Sequence, residues 1–276
     1  MSIKYGYLGP VGTFTEAALQ KIASSDDQLI AYANVTAALD AVRKGDCQKA
    51  LVPIENSVEG VVARTLDELA IGEPLVITQE VTLPVTFTLL TLPGTDPKEI
   101  KSIATHPHAE SQCRSFIAKN YPTAQIIETP STAAAAKGLA NGDYQAAIAG
   151  ANAAKNYNLK VIAEDIGDNQ AAVTRFVVVE KPGRAIAATG KDRTSLAVFI
   201  AIDHAGALLE ILSEFAKHQV NLTFIQSRPT GSQLGHYHFI IDAEGHIEDA
   251  PISAALAGLK QICEDIRFLG SYPQAK

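Results

Sequence analysis

Short apolar runs alternate along this chain with stretches of helical spacing. Residues 3–8, 29–33 and 50–54 are expected as strands, and 13–23, 36–44 and 59–70 as helices. Thr13 and Glu16 stand at capping-box distance, and Gly45 closes the second helix. Residues 74–93 are extended and β-rich, the pattern of a crossover. The strand–loop–helix rhythm then restarts. A strand at 103–104 runs into Thr105-His106-Pro107-His108 and a helix to about 120. A strand follows at 126–127, and Ser131-Thr132 cap an alanine-rich helix ending near Asn141-Gly142. A strand at 161–163 and a polar loop at 165–172 lead to Thr174-Arg175-Phe176, which opens the apolar run 176–179.

A weak repeat accompanies this rhythm. Thr36-Ala37-Ala38 leads to Gly45-Asp46 and a strand, as Thr132-Ala133-Ala134 leads to Gly142-Asp143 and a strand. Two α/β lobes built from one helix–turn–strand unit would each deliver a loop to a shared cleft, the architecture of hinge-closing small-molecule binders. The triplet at 174–176 would lie at the hinge. Residues 181–192 carry Pro182, Gly183 and Gly190 without apolar periodicity and are expected as a linker. Beyond it the pattern becomes strand 195–201, helix 206–219, strands 222–227 and 237–241, helix 251–264 and strand 266–269. That is a ferredoxin-like βαββαβ plait. Its expected core stripes are Leu208, Leu209, Leu212 and Phe215 on one helix and Leu256, Leu259 and Ile262 on the other.

Composition narrows the function classes. The 276 residues are 47% hydrophobic and 19% charged, with net charge -7, which argues for a globular chain and against nucleic acid or an anionic membrane as partner. No apolar stretch approaches the ~20 residues of a membrane span. The start goes straight into strand-like sequence with no secretory pattern, and Cys47, Cys113 and Cys263 are widely spaced, so a reduced cytoplasm is expected. His236 and His238 share one face of a strand. Without a third ligand they do not make a metal site, and no cofactor is expected.

Three places carry candidate chemistry. Gly9-Pro10-Val11-Gly12 before a capped helix offers backbone N–H groups to an anion, although an ordinary βα turn has the same pattern. Glu55-Asn56-Ser57 sits at the carboxyl end of a strand, where α/β sheets bind ligands, or simply caps the next helix. Thr174-Arg175-Phe176 joins a hydroxyl, a guanidinium and a ring.

Together, Tyr7-Leu8-Gly9-Pro10-Val11-Gly12-Thr13-Phe14, Pro53-Ile54-Glu55-Asn56-Ser57-Val58-Glu59-Gly60 and Thr174-Arg175-Phe176 resemble the prephenate dehydratase family. The terminal plait resembles an ACT regulatory domain through Gly206-Ala207-Leu208-Leu209 and Gln226-Ser227-Arg228-Pro229. The resemblance covers nearly the whole chain in the family's motif order. It implies a two-lobed catalytic domain of the type-2 periplasmic-binding-protein-like class over 1–182, with lobes of roughly 1–76 plus 160–182 and 77–159. A linker at 183–193 and an ACT domain at 194–276 would follow. The chain opens directly on the dehydratase-like segment, so no fused chorismate mutase domain is expected.

The implied reaction converts prephenate to phenylpyruvate with loss of water and carbon dioxide, in phenylalanine biosynthesis. The implied catalytic residues are Thr174, Arg175 and Phe176. The implied substrate contacts are Pro10, Gly12, Thr13, Glu55, Asn56, Ser57, His106, Ser131 and Thr132. Phenylalanine would bind at Gly206, Ala207, Leu208, Leu209, Gln226, Ser227, Arg228 and Pro229 between paired ACT domains of a homodimer or homotetramer. Gln226 departs from the family's common glutamate, and Ala205 from its common proline, which bears on the effector response.

Two other readings stand beside this one: an arogenate dehydratase, and a non-catalytic ligand sensor. A threonine hydroxyl is too weak an acid to titrate near neutrality. Thr174 is therefore expected to donate a hydrogen bond to the departing oxygen, Arg175 to hold the retained side-chain carboxylate or order the cleft, and Phe176 to pack on the ring.

Overall fold

The structure is a computed structural model and describes residues 2–183, 185–200, 202, 204–230 and 237–275. Strand and helix alternate through the first stretch: β1 (Lys4–Leu8), α1 (Phe14–Gln20), β2 (Gln28–Tyr32), α2 (Val35–Lys44), β3 (Lys49–Asn56), the two-residue β4 (Gly60–Val61), α3 (Ala63–Ile71) and β5 (Val76–Pro84). β3 is buried continuously from Ala50 to Ile54, as a central strand with both faces covered must be. The helix expected from 59 starts only at Ala63. Before it, Gly60 and Val61 fold back on Asn56 and Glu55 as a hairpin, with Gly60 at φ 85°.

The next stretch runs β6 (Thr88–Thr91), a 3-10 turn (Pro97–Glu99), β7 (Ser102–Thr105), α4 (Pro107–Ser111), α5 (Arg114–Asn120), β8 (Gln125–Glu128), α6 (Thr132–Asn141), β9 (Ala146–Ala149), α7 (Ala151–Asn156), β10 (Lys160–Ala163) and β11 (Val173–Glu180). The one helix expected from 107 to 120 is two. It breaks at Gln112-Cys113, where Cys113 has φ -122° and ψ 14°. One sheet has the order β2-β1-β3-β11-β5, with β4 on β3; another has the order β10-β6-β9-β7-β8. The chain changes sheets between β5 and β6 and returns between β10 and β11, so β5 pairs in the first sheet and β10 in the second, whereas the lobes expected from sequence divide at 76 and 160.

The repeat is physical. α2 ends at Gly45 (φ 85°), whose N–H donates to Val42 O at 3.0 Å while the Asp46 N–H donates to Ala41 O at 2.9 Å. α6 ends at Gly142 (φ 84°) with the matching pair, Gly142 N–H to Leu139 O and Asp143 N–H to Gly138 O. Both are glycine-terminated helices with left-handed caps that satisfy the last carbonyls and feed a strand.

The chain divides into two compact units, residues 1–38, 51–62 and 82–176, and residues 39–50, 63–81 and 177–276. Among the described residues, the apolar clusters of the first include these two. One gathers Val85, Phe87, Leu89, Ile103, Cys113 and Ile148. The other is made largely of alanines, among them Ala104, Ala135, Ala136, Ala147 and Ala149, whose small side chains let α6 lie close to its sheet.

The second unit contains β12 (Asp192–Ile200), α8 (Ala207–Lys217), β13 (Leu222–Pro229), β14 (Tyr237–Glu244), α9 (Ala250–Ile262) and β15 (Cys263–Pro273). Its antiparallel order β13-β14-β12-β15 is the ferredoxin-like plait. Leu196, Val198, Ile241, Ile252, Ala255 and Leu259 form its core. From α8 that core receives Ala207, Ile211 and Phe215, four residues apart. Leu208 and Leu209, expected in the core stripe, are exposed instead, Leu209 at 66%. The run of leucines masked the true i, i+4, i+8 stripe.

The opposite sheet face is polar. Arg228 pairs bidentately with Asp67 of α3 at 2.8 and 2.7 Å, Arg193 reaches Glu80 of β5 at 3.2 Å, and Ser195 donates to Asp242 at 2.6 Å. His238 lies on this face, fully buried and stacked on Phe199. Its expected strand partner His236 is outside the described residues. Among the described residues no group of three His, Cys, Asp or Glu is placed to hold a metal.

Candidate active site

The first unit encloses a cavity of about 530 Å³. Phe14, Phe87, Val85 and Phe176 give it apolar walls, with the Phe14 and Phe87 rings edge to face at 5.7 Å. Thr13, Asn56, Glu59, His106, His108, Gln112, Ser131, Thr132 and Thr174 supply polar atoms. An apolar cleft with a few convergent donors suits a small organic acid carrying a ring.

Thr174 is the second residue of β11, so it sits inside the strand and not in a loop before it. It is 8% exposed. The Asn56 side chain fixes its chemistry. Asn56 Oδ1 accepts the N–H groups of Val58 and Glu59, at 2.8 and 2.9 Å, so the amide nitrogen must face the other way. That Nδ2 donates to Thr174 Oγ1 at 2.7 Å. With its oxygen already accepting, the Thr174 hydroxyl has its own hydrogen left to give.

The neighbouring residues of both motifs hold this pair in place. Ser57 and Val173 exchange hydrogen bonds: the Ser57 N–H donates to Val173 O and the Val173 N–H to Ser57 Oγ, both at 2.9 Å. Arg175 is buried, with Nε 3.3 Å from Glu55 Oε2. Ser57, Glu55 and Arg175 do not line the cavity; they lock the β3 loop to β11.

The glycine loop is committed in part to its own fold. The Gly9 N–H donates to Tyr32 O at 2.9 Å, and the Gly12 N–H to Glu16 Oε2 at 2.6 Å. The capping box is therefore half-formed: Thr13 Oγ1 accepts the Glu16 N–H, but Glu16 reaches back one residue further than the box requires. Glu16 also accepts from Tyr7 OH and Asn156 Nδ2, and burial beside that carboxylate raises the Tyr7 phenol's affinity for its proton. Tyr157 OH and Asn152 Nδ2 donate to the Val11 and Thr13 carbonyls, tying the loop to α7. Pro10 and Thr13 line the cavity, whereas Gly12 does not.

The N-terminus of α6 also lines the cavity, through Ser131, Thr132 and Ala134. Ser131 caps it through Oγ, which accepts the Ala134 N–H at 3.0 Å. Thr132 opens its first turn, where unpaired N–H groups and the helix dipole favour a carboxylate. His106 caps α4 in the same manner, with Nδ1 accepting the His108 N–H at 3.3 Å. Burial, then the neighbouring His108, lowers the pKa of His106.

Glu59, His108 and Gln112 were not among the site residues expected from sequence. Glu59 Oε2 lies 2.8 Å from His108 Nδ1, and Glu59 Oε1 accepts from Gln112 Nε2 at 3.0 Å. The available signal was His108 and Gln112 one helical turn apart beside His106. The helix break between α4 and α5 hid their common direction.

The cysteines offer no nucleophile. Cys47 and Cys113 are buried, and burial pushes the Cys113 thiol up to about 12 and that of Cys263 to about 11. In the plait, Gly206 (φ 101°) precedes α8, and Gln226 Nε2 donates to the carbonyl of Ser227 at 3.0 Å. Pro229 ends β13. The residues expected to hold an effector therefore sit at the N-terminus of α8 and the far half of β13.

Residues 5–184 match the family described as Prephenate dehydratase, and residues 194–261 match the ACT domain. The chain is 44% identical over 273 residues to the prephenate dehydratase of Amycolatopsis methanolica, covering 99% of this chain and 89% of that one. It is similar to the crystal structure of prephenate dehydratase from Arthrobacter aurescens in complex with L-Phe, with TM-score 0.94 and 48% identity over 99% of this chain and 90% of that one. It is also similar to GqqA, described as a quorum-quenching acylase, with TM-score 0.87 and 26% identity over 98% and 97%. The fold class of the first 180 or so residues is the type-2 periplasmic-binding-like one expected.

Proposed function

The chain belongs to the prephenate dehydratase family, and we propose that it converts prephenate to phenylpyruvate, releasing water and carbon dioxide, under control of phenylalanine bound at the plait. The observation that carries the chemistry is the hydrogen bond from Asn56 to Thr174, which leaves the threonine's hydrogen to be donated into the cleft. As the ring hydroxyl departs, negative charge grows on its oxygen. The Thr174 O–H stabilises that charge, and the oxygen leaves as hydroxide and takes a proton from solvent to become water, while the electron pair of the breaking carbon–carboxylate bond enters the ring and aromatises it. A fixed donor at such a position contributes ~3 kcal/mol to the transition state.

Neutral donors suit the carboxylate that leaves, because a salt bridge would hold the ground state more tightly than a transition state whose charge is dispersing. The α6 N-terminus with Ser131 and Thr132 supplies such donors, and Thr13 and His106 complete the polar lining. Phe176, buried on β11, packs against the ring. Arg175 acts by ordering the cleft through Glu55, a reading supported by its burial beside that carboxylate.

We place the catalytic domain at 1–182, the linker at 183–193 and the ACT domain at 194–276. Phenylalanine binds between paired plaits of a homodimer or homotetramer, covering the exposed Leu209. With Gln226 in place of a carboxylate, the contact with the effector's ammonium is a neutral one. The free thiols suit a reduced cytoplasm, and among the described residues no helix is long and apolar enough to cross a membrane.

The test is turnover of prephenate and of arogenate by the purified protein, with and without phenylalanine. Prephenate turnover that phenylalanine modulates is expected. Binding of prephenate without turnover would replace this reading by a ligand sensor, and a higher kcat/KM for arogenate would replace the substrate.

A further inference from the structure

Among the described residues lining the cleft, Glu59 is the one carboxylate, and no lysine or arginine lines it. His106 and His108 are the groups there that can become cationic. The Glu59 carboxylate is fully engaged. One oxygen meets His108 Nδ1 at 2.8 Å and the other accepts from Gln112 Nε2 at 3.0 Å. His108 and Gln112 belong to α4 and the residue that ends it, and Glu59 to the hairpin turn between β3 and β4, so the contact joins two sides of the cleft wall.

We infer that the Glu59–His108 pair is a specificity determinant of this cleft, masking its carboxylate so that a doubly anionic keto acid is preferred over the corresponding amino acid. The inference rests on the dehydratase reading above, and it concerns charge alone. Prephenate carries two carboxylates and net charge -2. Arogenate carries the same two carboxylates and an ammonium, net -1. An unmasked Glu59 therefore disfavours prephenate relative to arogenate, because it attracts the ammonium that only arogenate carries. Both partners are partly exposed, so solvent screens the effect, and removing one charge shifts the ratio of the two specificity constants by on the order of threefold at low ionic strength.

The two halves of the pair predict opposite signs. His108→Ala bares Glu59 and lowers the prephenate-to-arogenate ratio of kcat/KM. Glu59→Gln keeps an acceptor for Gln112, removes the negative charge and raises the ratio. A contact that merely braced the loop would weaken both substrates in both variants and leave the ratio unmoved.

The experiment measures kcat/KM for both acids in wild type, His108→Ala and Glu59→Gln, with thermal melts to confirm folding. Ratios moving in opposite directions are expected. Ratios that move together, or not at all, in folded variants overturn the inference while leaving the dehydratase reading intact. If wild type turns over neither acid, the dehydratase reading fails, and calorimetric affinities of the two intact acids for the same three proteins decide the inference by the same signs.

Discussion

Asn56 and Thr174 act as one unit. The amide of Asn56 is oriented by two backbone N–H groups, and its nitrogen occupies the acceptor side of the threonine hydroxyl. Asn56→Ala frees that hydroxyl to rotate and is expected to lower kcat about tenfold, the worth of one orienting hydrogen bond. The double variant with Thr174→Ala should have a kcat close to that of Thr174→Ala alone, because the amide nitrogen reaches the departing oxygen through the hydroxyl. Steady-state rates of the three variants check this. His238 is the converse case, a buried residue with neither ring nitrogen paired among the described residues. Burial lowers its pKa. The unfolded chain then takes up a proton, near pH 6.5, that the folded chain refuses, so stability falls as pH drops through that value. His238→Leu removes both penalties. It should stabilise the protein by ~1–3 kcal/mol, more at pH 5.5 than at pH 8, in denaturant titrations.

At the scale of elements, the glycine caps decide where two strands begin. Gly142 holds φ 84° with open space around it, so an added methyl meets strain but no clash. Gly142→Ala is expected to cost ~1 kcal/mol and lower the melting temperature by a few degrees without changing KM. Such features were legible in the sequence, because Gly after a helical pattern and Ser before one have local causes. The Ser131 cap, the Gly45 and Gly142 stops and the plait's βαββαβ succession all follow from spacing. Features with non-local causes were not legible. The hairpin at Gly60-Val61 exists because β4 pairs with the end of β3, which no short window reveals. The α8 stripe was misjudged because Leu208 and Leu209 are apolar yet face outward. The Gly12 N–H, offered by the sequence to a ligand, is taken by Glu16, whose carboxylate reaches it from one turn into the helix. Glu59, His108 and Gln112 meet only through the fold.

At the scale of the whole molecule, the chain joins a prephenate dehydratase segment to an ACT domain. Within the second unit, Arg228 of the effector motif is bound bidentately to Asp67 on α3. α3 follows in sequence directly on the hairpin that carries Glu59 and pairs with Asn56. On the proposal that phenylalanine contacts Arg228, its binding is felt on α3 through Asp67. Asp67→Asn is expected to leave the uninhibited rate within twofold and to weaken phenylalanine's effect about fivefold, within the ~1–3 kcal/mol ordinary for allosteric coupling. Rate-against-phenylalanine curves for the two proteins measure it.

On the proposed mechanism, a hydroxyl held by Asn56 assists the departing oxygen. The deciding measurement is the kcat of Thr174→Ala with prephenate, in protein shown to be folded by its melting transition. A fall of about 100-fold with KM changed only a few-fold is expected, the signature of a donor felt in the transition state. A Thr174→Ala enzyme that keeps the wild-type kcat would contradict it.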